Sequence, residues 1–374
     1  MARQRTHSAP DQSRSERFRS TRFTDFDAVT GREIEWRYSP VARLQALTAG
    51  PLAGSRYDYE CQSDDGVSVR WVGRDDSRFG TAGTPEDRSS ANAWSSTDRI
   101  LSIDITGDAH TTTVLRRGSM GRAPRAAHTI VTVAPTAHAT LIIDNRGPAQ
   151  LAENVEILIG DQASLTLVSV QDWDSDALHL ATHWAQVGVG ASLRHIALTL
   201  GGSIVRVNPT FHLGGAHGSV DALGVYFAGP EQHLEHQVYV HHDAADTTGR
   251  VSYKGAIQGV NSHAVWVGDV VIGAAAIGTD SYEQNRNLVL SEGTRVDSVP
   301  NLEIETGDIV GAGHASATGR FDEEQLFYLQ SRGITAAEAR LLVVRGFLSE
   351  VIHKVGDAAL EERLLATIEA KLAE

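Results

Sequence analysis

From about Ile100 to Ile309 the chain is a succession of short alternating apolar runs, and no segment of helical period interrupts them. The runs include Ile130, Val131 and Val133; Leu141 to Ile143; Val155, Ile157 and Ile159; and Leu165 with Leu167. Later come Val238 with Val240, Val265 with Val267, and Val270 to Ile272. Glycine-rich breaks separate them, at Gly147-Pro148, Gly160-Asp161, Gly188-Val-Gly190, Gly201-Gly202, Gly214-Gly215 and Gly229-Pro230. Strands of four to seven residues at a spacing of roughly 10–15 mean an all-β body, either a sandwich, a barrel or a β-solenoid. A sandwich seldom runs this long, which favours a solenoid; the lack of a sharp internal repeat weighs the other way. Periodicity alone leaves the choice open.

The flanks differ from this body. Residues 1–22 form a polar, aperiodic basic tail with the composition of a disordered segment. Residues 23–99 are of mixed or uncertain structure. Phe26, Ile34, Trp36, Tyr38 and Leu44 suggest an extended segment and a short helix, and residues 54–99 resist assignment. The β body spans 100–320, and a C-terminal helical domain spans 321–374. There Asp322 can cap a helix ending at Ser331, with Gly333 as its stop. Thr335 and Glu338 form a capping box for a helix running to Lys354. Asp357 caps a last helix in which Leu360, Leu364, Ile368 and Leu372 recur every four residues. The middle helix is apolar over more than half its circumference, through Val344, Phe347, Leu348 and Val351 among others. Such a helix either buries itself against the β body or offers a docking face to another protein.

Charge and motif content narrow the function. The net charge is −14, although residues 1–43 carry nine arginines against six acids. An acidic body repels phosphate backbones, which argues against nucleic-acid binding by the core. Cys61 is the one cysteine, so no internal disulfide and no four-cysteine metal site can form. No stretch approaches the ~20 apolar residues of a membrane span, and no secretory signal precedes the body, so the chain reads as cytoplasmic. There is no Walker A motif, no G-x-G-x-x-G opening a helix, no G-x-S-x-G and no H-E-x-x-H. The expectation is a protein that is not an enzyme. A β-solenoid acting on carbohydrate is the enzymatic alternative, and six scattered tryptophans do not support it.

Histidine is abundant, with sixteen copies, densest in His233-Leu-Glu-His236-Gln-Val-Tyr-Val-His241-His242-Asp243. On a strand His236 and His242 share one face and Glu235, Tyr239 and His241 the other. His236 and His242 then lie ~20 Å apart, too far to chelate one ion. Hydrogen-bonded structural histidines are the expectation there. His314 differs: it sits among small residues, in Gly311-Ala-Gly-His-Ala-Ser-Ala-Thr-Gly319, at the junction of β body and helices.

The ordered stretches Asn285-Arg-Asn-Leu-Val-Leu-Ser-Glu-Gly293, Pro300-Asn-Leu-Glu-Ile304, Gly313-His-Ala-Ser-Ala-Thr-Gly-Arg320 and Asp322-Glu-Glu-Gln-Leu-Phe-Tyr-Leu-Gln-Ser-Arg-Gly-Ile334 resemble the SufB/SufD family of iron–sulfur cluster assembly proteins. Thr30-Gly-Arg-Glu-Ile-Glu-Trp-Arg-Tyr38, Gly201-Gly-Ser-Ile-Val-Arg206 and Tyr253-Lys-Gly255, with His242 upstream, look the same way. Residues 54–120 depart from it, and Ala315-Ser316 stands where the family commonly has Gly-Ala. The SufB branch presents a cysteine just before the stretch matched by Asn285; Glu283 and Gln284 stand here instead, so the pattern is that of the SufD branch.

The resemblance implies a right-handed parallel β-helix with a C-terminal helical domain, in a SUF-system complex with SufB and the ATPase SufC. It implies a non-enzymatic scaffold that holds no cofactor stably alone but shares iron or an iron–sulfur cluster transiently with SufB. A homomeric, SufB-like cluster scaffold is the alternative, and a homodimer is open in isolation. His314 is then the candidate iron or cluster ligand at the SufB interface. Asn285 and Arg286 are candidates for the SufB side, and Val344, Phe347, Leu348 and Val351 for SufC docking. His242, Tyr253, Lys254 and Gly255 are structural.

Overall fold

The computed structural model describes Arg14 and residues 17–107, 109–321 and 323–373. Most of the expected basic tail lies outside the described residues, and so does Asp322, the expected helix cap. The segment before the β body contains helix α1 (Gln45–Thr48), strands β1 (Glu60–Ser63) and β2 (Val67–Val72), and helix α2 (Arg88–Ser96). Strands β3 (Ile100–Ile105), β4 (Thr111–Arg117), β5 (Gly121–Val133), β6 (His138–Gly147), β7 (Ala149–Ile159) and β8 (Ser164–Trp173) follow with short connections. The series continues through β9 (Leu178–Val187), β10 (Ser192–Thr199), β11 (Ile204–Leu213), β12 (Ser219–Ala228) and β13 (His233–His242). It ends with β14 (Thr248–Ile257), β15 (His263–Ile272), β16 (Asp280–Val289), β17 (Arg295–Ile304) and β18 (Gly311–Arg320).

Among the described residues these strands form two nine-stranded sheets. Odd-numbered strands from β3 to β17 stack in parallel in one sheet, with β2 antiparallel on its edge. Even-numbered strands from β4 to β18 stack in parallel in the other, with β1 antiparallel on its edge. The chain therefore winds as a parallel β-solenoid, mainly β, with a helical cluster after it and a short segment before it.

The weak sequence repeat has a physical reason. Left-handed backbone recurs in many of the tight connections, and glycine takes that place at Gly190, Gly202 and Gly278. Thr136, Gln162, His217, Glu231, Asp246 and Asn261 take it elsewhere, with φ between 57° and 65°. The backbone repeats while the residue does not. Both faces of the sheets are also covered, which blurs the alternation of a half-exposed strand. Leu165, Leu167 and Leu193 face the interior, whereas Val168, Val170 and Ile196 meet the C-terminal helices on the outside.

On the outer face of the odd-strand sheet lie Trp36, Leu44, Leu47 and Ala93. Buried Arg206 fixes this segment: its guanidinium donates to Asp87 (2.7 Å), Glu235 (3.1 Å) and the Glu35 carbonyl (2.8 Å), and lies over the Trp36 ring. Asp87 in turn caps α2, accepting from the Ser90 N–H at 2.9 Å.

The helices are α3 (Glu323–Ser331), α4 (Ala336–Ile352) and α5 (Ala358–Leu372). The Thr335–Glu338 capping box is formed, Asp357 caps α5, and Gly333 and Gly356 adopt positive φ at the stops. Among the described residues no helix is long and apolar enough to cross a membrane.

Candidate functional site at the open end of the solenoid

β17 and β18 end their sheets, each hydrogen-bonded to a strand on one side only. Free edges of this kind are templates for further pairing. His314 is exposed on β18, on the face that Ala312 turns toward the interior core. Its partner across the β16–β18 ladder is Glu283. Glu283 is wholly buried, and both its carboxylate oxygens lack a hydrogen-bond partner. Burial, reinforced by the nearby Asp269 carboxylate, pushes its carboxyl up to about 8. A cleft of about 650 Å³ opens at this end, lined by His314, Asp269, Asn301, Tyr38 and Ile34 among others. It therefore joins the last coil to the N-terminal segment.

Behind His314 the interior turns polar. Asn285 donates to the Tyr226 hydroxyl (2.9 Å) and the Tyr253 carbonyl (3.2 Å). Its side-chain oxygen accepts from Asn287 (2.6 Å) and from Ser298 (2.8 Å), and Ser316 on β18 donates to Ser298 at 2.8 Å. The network thus reaches from the fourth-last coil to the exposed strand. Of the two residues expected to face a partner, Asn285 is buried inside this network and Arg286 is exposed.

The Tyr253-Lys254-Gly255 motif is read by packing. Gly224 faces Tyr253, and Tyr226 faces Gly255, across the β12–β14 ladder. A Cβ at Gly255 would come within 1.9 Å of the Tyr226 ring, and one at Gly224 within 2.1 Å of the Tyr253 ring. Each tyrosine occupies the space its partner glycine leaves. Lys254 points the other way, donating to the Phe347 carbonyl at 3.1 Å and pairing with Glu350, so that it ties β14 to α4. His242 lies 2.8 Å from Thr247 Oγ1 and 3.1 Å from Ser281 Oγ.

Val344, Leu348 and Val351 are buried against Leu223, Val225 and Phe227 of the even-strand sheet and against α5. Phe347 is only partly covered. Among the described residues, the exposed large apolar side chains on these helices are Phe327, Tyr328 and Leu342. Covalent spacing within one helix could not distinguish the two sets, because the sheet decides which stripe it covers.

Among the described residues, one group of three or more histidine, cysteine or acidic side chains brings its donor atoms within 4.8 Å of one another: His212, His241 and Asp243. The sequence singled out His241 and Asp243 but not His212, which lies one coil earlier. The signal exists only once the repeat is known, because His212 and His241 are partners in the β11–β13 ladder.

The chain matches the family model described as SUF system FeS cluster assembly, SufBD core domain, over residues 116–347. It is 44% identical over 357 residues to an iron–sulfur cluster assembly SufBD family protein of Mycobacterium leprae, covering 93% of this chain and 91% of that one. A Mycobacterium tuberculosis protein of the same description is 44% identical over 370 residues, covering 96% and 93%. A second M. tuberculosis protein of that description is 29% identical over 201 residues, covering 54% of this chain and 24% of its own length. On the match to that family model and the near full-length extent of these relatives, the chain belongs to the SufBD family of iron–sulfur cluster assembly proteins.

Proposed function

We propose that the chain is the SufD-type subunit of a SUF assembly complex, a non-enzymatic scaffold that pairs with SufB and docks the ATPase SufC. The observation that carries this reading is His314 on the exposed last strand, next to a free sheet edge. Pairing at that edge would put a second solenoid against the imidazole. Iron–sulfur clusters are held chiefly by thiolates, with imidazole as a substitute. Cys61 is the chain's one thiol and lies on β1, at the other end of the even-strand sheet. The thiolates of a shared cluster would therefore come from SufB, with His314 lending a nitrogen and Arg286 lying on the partner side.

Residues 321–374 act in this reading as the SufC docking unit. Phe347, Phe327 and Leu342 supply its contact surface, while Val344, Leu348 and Val351 hold α4 in place from beneath. The unit acts in the cytoplasm. Co-expression with SufB and SufC followed by size-exclusion chromatography tests the assignment. The three chains should co-elute. A chain that elutes alone or only as a homodimer in the presence of both partners, carrying its own cluster, would favour a homomeric scaffold instead.

A further inference from the structure

The outer face of the odd-strand sheet carries a second arrangement that the scaffold role does not use. His212 on β11 and His241 on β13 are direct ladder partners, with ring centroids 5.6 Å apart and planes inclined at 66°. Asp243, just past the end of β13, reaches back to both: one oxygen is 3.1 Å from His241 Nε2, the other 3.7 Å from His212 Nδ1. His242, between them in sequence, points inward, so this site and the interior network are on opposite sides of the strand.

The next coil leaves the place accessible. Gly273 follows β15, and a Cβ there would lie 3.8 Å from His241 Nε2 and 4.0 Å from Glu305 Oε2. A side chain at 273 would stand between the imidazole and a second carboxylate, Glu305, whose Oε2 accepts from the Ala274 N–H at 3.1 Å. The Arg19 guanidinium is engaged by Glu86 at 2.9 Å.

The geometry points to a site for one divalent first-row transition-metal ion, held by His212, His241 and Asp243, with Glu305 across an open coordination position. Two imidazoles and one carboxylate make a donor set suited to such ions and poor for calcium or magnesium. Partial exposure of all three side chains makes the ion exchangeable rather than a fold-holding one. The proposal stands apart from the scaffold reading and from His314.

Titration of the full chain with Co(II), followed by its visible ligand-field bands and by calorimetry, tests it. One saturable equivalent is expected, removable by a chelator without change in far-ultraviolet circular dichroism. Asp243→Asn, nearly isosteric and in an exposed turn, and His241→Ala should each weaken that equivalent on the order of 10–100-fold, and His314→Ala should leave it intact. Absence of saturable binding to the wild type, unchanged binding in the correctly folded Asp243→Asn chain, or loss in His314→Ala would each overturn the assignment.

Discussion

Glu283 and His314 face each other across the last parallel ladder, one wholly buried and unpaired, the other exposed on the terminal strand. An acid without a hydrogen-bond partner directly behind a proposed cluster ligand is held neutral by its surroundings. It makes the terminal coil sensitive to pH.

The sign of that sensitivity follows from the raised pKa of Glu283, about 8 in the folded chain. Its proton stabilises the fold fully below the ordinary carboxyl range, and the contribution is lost as pH rises through about 8. Glu283→Gln should therefore be neutral near pH 4.5 and stabilising by a few kcal/mol (~1–4) above pH 8. Melting temperatures of both proteins across pH 5–9 check this; parallel profiles would remove the effect.

The interior histidines act in the opposite direction. Burial lowers His183 to about 4, His236 to about 3 and His242 to about 4. Stability from keeping them neutral is present above their ordinary value near 6.5 and is lost as pH falls from there toward 4 and 3. His236→Gln should blunt the acid limb of the stability profile measured by denaturant titration.

Gly255→Ala drives a methyl group into the Tyr226 ring, which the interior leaves no room to move. A loss of ~1–3 kcal/mol or more is expected in chemical denaturation. Gly346→Ala, where nothing lies within 4 Å, is the control and should change little.

Arg206→Ala would leave Asp87 buried without its counter-charge and strip Glu235 of its guanidinium, leaving it the His233 ring and Ser39. The expected cost is ~3–5 kcal/mol. Because Arg206 also holds Trp36, limited proteolysis should cut the N-terminal segment before the solenoid melts.

Leu342→Asp and Phe327→Asp place charges on exposed positions, so melting should stay near wild type while capture of SufC falls at least tenfold. Leu348→Asp, fully buried, should instead collapse the melting transition. Equal capture by Leu342→Asp, Phe327→Asp and wild type would take the docking surface away from these helices.

The all-β body, the capped helices and their stops were legible in the sequence because each rests on local chemistry, such as the Thr335–Glu338 box. The inward and outward faces of the 233–242 strand were legible for the same reason. The solenoid could not be separated from a sandwich by period, because Gln162 and Asp246 occupy turns where Gly190 and Gly278 stand in other coils. Residues 54–99 were opaque since their order comes from contacts distant in sequence, such as Asp87 with Arg206. His212 was missed because its neighbour His241 is set by coil register, and Asn285 was read as a partner-side residue because its interior network spans five strands that sequence alone does not bring together.

The central claim is that this chain lends His314 to a cluster completed by SufB. Anaerobic reconstitution of the complex with SufB and SufC, wild type against His314→Ala, tests it most directly, reading iron per complex and cluster absorbance. The expected result is an intact complex with undiminished ATP hydrolysis and cluster content reduced several-fold or more. An intact His314→Ala complex carrying the wild-type cluster content would contradict it.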